Sequence, residues 1–230
     1  ANDEAGFSII TYTGDGNSSG NVGTGLRSTQ PLDWAIVKRR DSTSDWHVAH
    51  SGSGQSNNFA YHLNLNDTSS LSGNSPYHMG TQNATNGDRL YLAEGGLTSS
   101  ATYVAYVWQE RPGYSKFGSY TGNGSADGPF IHLGFRPAWF LQKKTSGTGG
   151  WYLFDNKRSG FNVDNDMLVP NATDAEYDGQ TYPRLDFVSN GIKWVDAGSS
   201  VHNASGATYI YMAFAERPSG TIFGVDANAR

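Results

Sequence analysis

The sequence predicts an all-β fold of two tandem β-sandwich units, and three observations carry that prediction. The first is an internal repeat. Tyr12-Thr13-Gly14 recurs as Tyr120-Thr121-Gly122, 108 positions on, and Gly25-Leu26-Arg27 as Gly134-Phe135-Arg136, 109 positions on. Trp34, heading an apolar run that ends in Lys38-Arg39, matches Trp139 and Lys143-Lys144 at 105, and Trp46-His47-Val48 matches Trp151-Tyr152-Leu153 at the same spacing. Ala101-Thr102-Tyr103-Val104 through Glu110-Arg111-Pro112 matches Ala207-Thr208-Tyr209-Ile210 through Glu216-Arg217-Pro218 at 106. Offsets that drift by a few positions are what loops of changing length between fixed strands produce. The second observation is composition: 29 glycines, abundant Ser, Asn and Thr, and only 16% charged residues describe many short strands joined by tight turns. Aromatics at 13% supply a filled core, so the low hydropathy is not a sign of disorder. The third is that no segment sustains a 3.6-residue apolar period, so almost no helix is expected.

Taken in order, Phe7–Thr13 reads as a strand stopped by the turn signal Gly14-Asp15-Gly16. The glycine-rich stretch Gly20–Gly25 has room for a short strand. Trp34–Val37 is a buried strand that leaves the core at Lys38-Arg39-Arg40, and Trp46–His50 is closed by Gly52-Ser53-Gly54. Phe59–Leu65 alternates with period two, the pattern of a sheet with one wet face. Residues 66–88 are the loosest part of the first unit, with Pro76-Tyr77-His78 at their middle. A structureless loop of that length is uncommon, which implies short strands or a functional loop there. Arg89–Leu92 and the aromatic run within Ala101–Glu110 complete the unit. The second unit repeats the plan with Phe117–Thr121, Pro129–Phe135, Trp139–Lys144, Trp151–Asp155, Leu185–Val188, Ile192–Val195 and Thr208–Ala215. Asn190-Gly191 is its hairpin signal. About seven strands per unit is the count of a small sandwich. The units are assigned to residues 1–113 and 114–230, and the short join Arg111–Ser115 predicts that they are closely packed. Thr221-Ile222-Phe223-Gly224 echoes Ser115-Lys116-Phe117-Gly118, as though a third unit began and stopped, and a linear array ending at Arg230 is the simple reading.

A net charge of −5 with scattered Lys and Arg argues against nucleic acid, which needs a clustered basic face. No apolar run approaches the ~20 residues that span a bilayer, and no basic amphipathic helix is present, so membrane insertion is not expected. The absence of cysteine excludes disulfides, thiol catalysis and Cys-ligated zinc. The chain begins at Ala1 rather than Met, which suggests a processed product or a piece of a longer protein. Six Asn-x-Ser/Thr sequons, at Asn17, Asn66, Asn83, Asn123, Asn171 and Asn203, carry little weight in so Asn/Ser/Thr-rich a chain.

The strand followed by Tyr-Thr-Gly-Asn/Asp-Gly, the run Phe117–Gly128, the segment Gly134-Phe135-Arg136-Pro137-Ala138-Trp139 and the Ala-Phe-Ala-Glu ending at 213–216 together resemble a repeat domain. That domain is common in large virion proteins of tailed bacteriophages, especially marine and cyanobacterial ones, in the C-terminal parts of tail-fibre-like proteins. The resemblance covers nearly the whole chain, and residues 117–139 are its most specific part. It implies a lectin-like or jelly-roll-like sandwich displayed on a virion surface, outside the cell. It transfers no catalytic residue.

The chemical candidates are few. His47 and His50, three apart in a strand, fall on opposite faces and are poorly placed to share a metal. Glycoside hydrolysis needs two carboxyl groups ~5–10 Å apart. The glutamates are Glu4, Glu94, Glu110, Glu176 and Glu216; Glu110 and Glu216 occupy equivalent places, which suggests a structural task repeated in each unit. Glu176-Tyr177-Asp178 with Asp174 could form a cleft acid pair, in the second unit only. Asp164-Asn165-Asp166, with Asp155 and Asn162, offers hard oxygen ligands suited to calcium, without the Asp-x-Asp-x-Asp-Gly spacing; such clusters are also ordinary turn chemistry. The runs Gly14–Gly20 and Gly122–Gly128 lack the spacing of phosphate loops and read as turns. Tyr77, Tyr114 and Tyr182, in predicted loops, are the aromatics best placed for exposed contacts, whereas most other Trp and Tyr lie in strands.

These readings converge on a non-enzymatic virion surface module, of tail-fibre or appendage type, with no assigned catalytic or metal residues and no cofactor beyond a calcium candidate. It would bind a host-surface glycan and assemble with copies of itself and other virion proteins, since multiplicity turns weak sugar contacts into avidity. Two alternatives stand beside it: an architectural capsid-decoration or filament subunit, and a polysaccharide-degrading glycosidase of sandwich fold.

Overall fold

Along Thr102–Trp108, Tyr103, Ala105 and Val107 are buried while the residues between them are partly exposed, an alternation that only an extended chain presents as two faces. The computed structural model describes residues 1–53, 61–73, 79–80, 87–178, 184–195 and 201–217, and it is nearly all β. The expected echo at 221–224, and Tyr77, Tyr182 and Asn83, lie outside the described residues. The chain divides into two units, Ala1–Glu110 and Arg111–Arg230.

The first unit contains β1 (Phe7–Thr13), β2 (Ser19–Gly23), β3 (Trp34–Arg39), β4 (Trp46–His50), β5 (Tyr61–Asn64), β6 (Ser72–Gly73), β7 (Met79–Gly80), β8 (Arg89–Ala93) and β9 (Thr102–Trp108). They form one antiparallel sheet in the order β1-β9-β3-β4-β5-β6 and a second in the order β2-β8-β7. The second unit contains β10 (Ser115–Thr121), β11 (Phe130–His132), β12 (Pro137–Lys144), β13 (Trp151–Asp155), β14 (Leu185–Val188), β15 (Gly191–Trp194) and β16 (Thr208–Ala215). Its sheets run β10-β16-β12-β13 and β11-β15-β14. Strand for strand this is the order of the first unit without β5 and β6, whose places are taken by the isolated bridges Leu153↔Leu168 and Met167↔Tyr177. These bridges match Val48↔Leu63 and His62↔Ser72 at the same 105-residue spacing.

Each core lies between its two sheets, which makes each unit a sandwich. In the first unit Ala35, Val37, Ala49, Tyr103, Ala105 and Val107 of the larger sheet meet Leu90 and Leu92 of the smaller. In the second, Tyr120, Phe140, Phe154, Tyr209 and Tyr211 meet Ile131, Leu185, Phe187, Ile192 and Trp194. Burying each Val, Leu, Ile or Phe among these contributes about 1.5–3 kcal/mol.

Three local details are decided by the fold. Gly14-Asp15-Gly16 ends β1 as expected, and because β1 pairs with β9 and β2 with β8 this segment carries the chain from one sheet to the other. Gly14 is required because a Cβ there would lie 2.1 Å from the Thr98 carbonyl oxygen; Gly122 meets Ala204 in the same way at 2.3 Å. The alternation of β5 is inverted. Asn64 pairs with His47, on the face of Val37 and the core, while Leu63 pairs with Val48 on the opposite face and is still buried. Gly191 does follow a two-residue hairpin turn, but it opens β15, and its hydrogen side chain admits the neighbouring strand, since a Cβ would sit 2.1 Å from the Ile131 carbonyl oxygen.

Candidate functional site

The densest polar cluster follows β13. Asp155, at the end of that strand, accepts the backbone N–H groups of Lys157 and Arg158 at 2.9 and 3.1 Å, so its first task is to turn the chain. The Arg158 guanidinium pairs with Asp155 at 2.8 Å and with Glu176 at 2.8 Å, tying two segments of the loop together. Asn162 uses both ends of its amide as a substitute strand: it accepts from Phe187 N–H and donates to the Phe187 carbonyl, each at 3.0 Å. Asp164 exchanges backbone hydrogen bonds with Leu185 of β14 and turns its carboxyl inward, and Asp166 follows two positions on. Ser159 Oγ contacts both acids, at 3.0 Å from Asp164 and 2.8 Å from Asp166. Burial pushes the Asp164 carboxyl up to about 6, with Asp166 and Asp155 adding like charge.

The calcium set read from the sequence therefore does not assemble. Asp155 and Asn162 are committed to the backbone, and no group of three or more acids or histidines able to hold a metal occurs among the described residues. The acid pair at 174–178 is also engaged, Glu176 by Arg158 and Asp174 by the Tyr177 hydroxyl at 2.9 Å. Glu216 pairs with Arg136 at 3.1 Å, and the backbone N–H of Glu110 donates to Asp33 at 2.7 Å, so both ends of the closing strands are tethered.

Histidine is used inside the sandwiches. His47 pairs with Val37 on the core side, where burial, then the charge of His62, pulls its pKa down to about 4. His50 pairs with Trp34 on the other face, meets that ring edge-on at 4.8 Å and accepts Gly52 N–H at 2.7 Å. His202 was not singled out in the sequence. It is fully buried against Tyr152, Phe154 and Trp194, its Nδ1 lies 2.9 Å from Gln142 Nε2, and desolvation brings its pKa down to about 3. A polar pair surrounded by aromatic rings locks one packing arrangement.

Of the exposed-aromatic candidates, Tyr114 is half-buried against Phe214, 5.6 Å between ring centroids. The large apolar side chains exposed among the described residues are instead Ile9, Phe130 at 47% and Phe161 at 78%. Phe130 and His132 flank buried Ile131 on β11, an edge strand, and point outward together with ring centroids 6.2 Å apart. The only sequence signal for this pair is the apolar-apolar-polar run Phe130-Ile131-His132, which does not say which member faces water. Across the sheet Phe130 pairs with Lys193, which hydrogen-bonds Asp127 and the Gly128 carbonyl, and His132 pairs with Gly191, over which the Phe130 ring leans: a Cβ there would lie 3.1 Å from the ring.

The family model for the domain of unknown function DUF7483 matches residues 1–218. The chain belongs to the DUF7483 family. No curated protein and no solved structure matches it. The match spans both sandwiches, so a DUF7483 domain comprises the pair of units.

Proposed function

We propose that this chain is a non-enzymatic virion surface module that binds a host-surface glycan through the outer face of β11-β15-β14. The observation that carries the reading is the exposed Phe130–His132 pair beside Lys193. A pyranose ring stacks its C–H face on such rings while its hydroxyls reach flanking charged groups. Virion placement rests on the resemblance of residues 117–139 to phage repeat domains.

The test is a glycan array on the 1–230 chain with light scattering on the same sample. Binding to a reproducible set of glycans, lost in Phe130→Ala at unchanged melting temperature, is the expected result. A chain that binds no glycan removes the receptor reading. The architectural reading is favoured by one separate observation, Ile9, 56% exposed on β1, an edge strand of the six-stranded sheet. Exposed edges of that kind pair with neighbouring chains, and filaments or large assemblies without sugar binding would select it.

A further inference from the structure

Ser159 Oγ touches Asp164 Oδ1 at 3.0 Å and Asp166 Oδ2 at 2.8 Å. A serine hydroxyl owns one hydrogen, and an ionised carboxylate oxygen only accepts. One contact is therefore a serine donation, and the other needs a proton that serine does not have. Both acids are buried, Asp164 to 2% exposure and Asp166 to 8%, where repulsion between like charges is weakly screened. Asp164 has no freedom to turn away: its backbone exchanges hydrogen bonds with Leu185 at 2.8 and 3.0 Å, and its Oδ1 also accepts Asp166 N–H at 3.2 Å. Its Oδ2 is buried with no hydrogen-bond partner among the described residues. Of the two cations of this loop, Arg158 is committed to Asp155 and Glu176, and Lys157 is exposed and lies 4.0 Å from Glu216. Among the described residues the charged groups facing Asp164 are thus Asp155 from β13 and Asp166 from the loop. From β14 it meets apolar Leu185, while Asp186 alternates to the opposite face.

We infer that Asp164 is held as the neutral acid in a proton relay, Asp164 Oδ1–H to Ser159 Oγ and Ser159 Oγ–H to Asp166 Oδ2, and that this relay is an acid-closed clasp on the loop bearing Phe161. The direction of the Asp164 shift, up to about 6 through burial, agrees with that geometry. When the pH rises past this value the proton leaves to solvent, the Asp164-to-Ser159 donation is lost, and the clasp opens. The folded-state pKa is raised above the ordinary 3.8, so the stabilisation is complete below about pH 4 and is lost as pH climbs through about 6. The inference does not depend on the glycan reading.

The experiment follows the Asp164 carboxyl carbon by NMR across this range in the 1–230 chain, alongside melting curves of wild type and Asp164→Asn. A midpoint about two units above the ordinary value is expected. Asp164→Asn, a neutral mimic, should melt higher than wild type at pH 7 and lose that advantage at pH 4. A midpoint in the ordinary carboxylate range overturns the proposal, as does a variant-to-wild-type difference that is the same at both pH values. Calcium chloride and EDTA should leave wild-type melting unchanged; a calcium-dependent rise would mean that a cation, not a proton, fills the gap. If the variant does not fold, the wild-type titration alone decides.

Discussion

Asn66 and Asn171 perform one task 105 positions apart. Asn66 Oδ1 accepts the Trp46 backbone N–H at 2.8 Å, and Asn171 Oδ1 accepts the Trp151 backbone N–H at 2.6 Å. Each side chain reaches back from the loop beyond the strand to hold the first residue of β4 or β13. Both asparagines head Asn-x-Thr sequons, and the structure gives them an internal role. Asn123 and Asn203 are likewise engaged, with Asn203 buried and bonded to Asn123 N–H and the Ser125 carbonyl.

Asn171→Ala removes the acceptor of an N–H on fully buried Trp151 and is expected to cost about 1–3 kcal/mol. Asn66→Ala acts on partly exposed Trp46, where water substitutes, and should cost about 0.5–1.5 kcal/mol. Urea denaturation of both variants tests the ranking; equal costs would contradict it.

Gly122→Ala places a Cβ 2.3 Å from the Ala204 carbonyl oxygen, a backbone atom that cannot swing aside. A loss of about 1–3 kcal/mol is expected, from strain rather than from a lost contact. Gly160 has a positive φ of 77° but open space around it, so Gly160→Ala isolates the conformational cost alone. A Gly122 variant no less stable than the Gly160 variant would show that the close approach is not tight.

His202 and His47 make both sandwiches acid-labile. Their folded pKa values are depressed, to about 3 and about 4, so the stability they contribute is present above the ordinary 6.5 and is lost as pH falls through that window. Each group changes stability by at most about 1.4 kcal/mol per pH unit, opposite in sign to Asp164. NMR should find the His202 ring neutral down to pH 4; titration near 6 would overturn its assignment as a desolvated core group.

The Arg136–Glu216 pair is half-exposed on both sides, and Glu216→Gln should cost no more than about 1 kcal/mol, an effect that vanishes in high salt. Thermal melts at low and high ionic strength check this, and a salt-independent loss would point to a second role for Glu216.

Much of the fold was legible because strand periodicity is local. Tyr12 stacks on Tyr103 at 5.0 Å and donates to the Gly96 carbonyl, and Tyr120 stacks on Tyr209 at 4.8 Å and donates to the His202 carbonyl. The repeated Tyr-Thr-Gly therefore marked a real equivalence of position. The candidate site was far less legible. Counting acids identified Asp155, Asp164, Asp166 and Glu176, but their pairing through Arg158 and Ser159 depends on a loop path that no spacing encodes. Phe130 lay unremarked inside the predicted strand Pro129–Phe135 and Phe161 in no predicted element, because exposure is a property of what packs nearby.

By itself the sequence determined the all-β class and located the longer strands, and its self-similarity suggested that the two halves correspond, since alternation, glycine punctuation and repetition are written along the chain. The tertiary structure decided which face of each strand is buried, as in the inverted β5. It also decided whether a glycine makes a turn or admits a neighbouring backbone, and which carboxyl loses its solvent. Those outcomes depend on partners brought together from distant positions, and the cost of desolvating Asp164 or His202 exists only once they are in place.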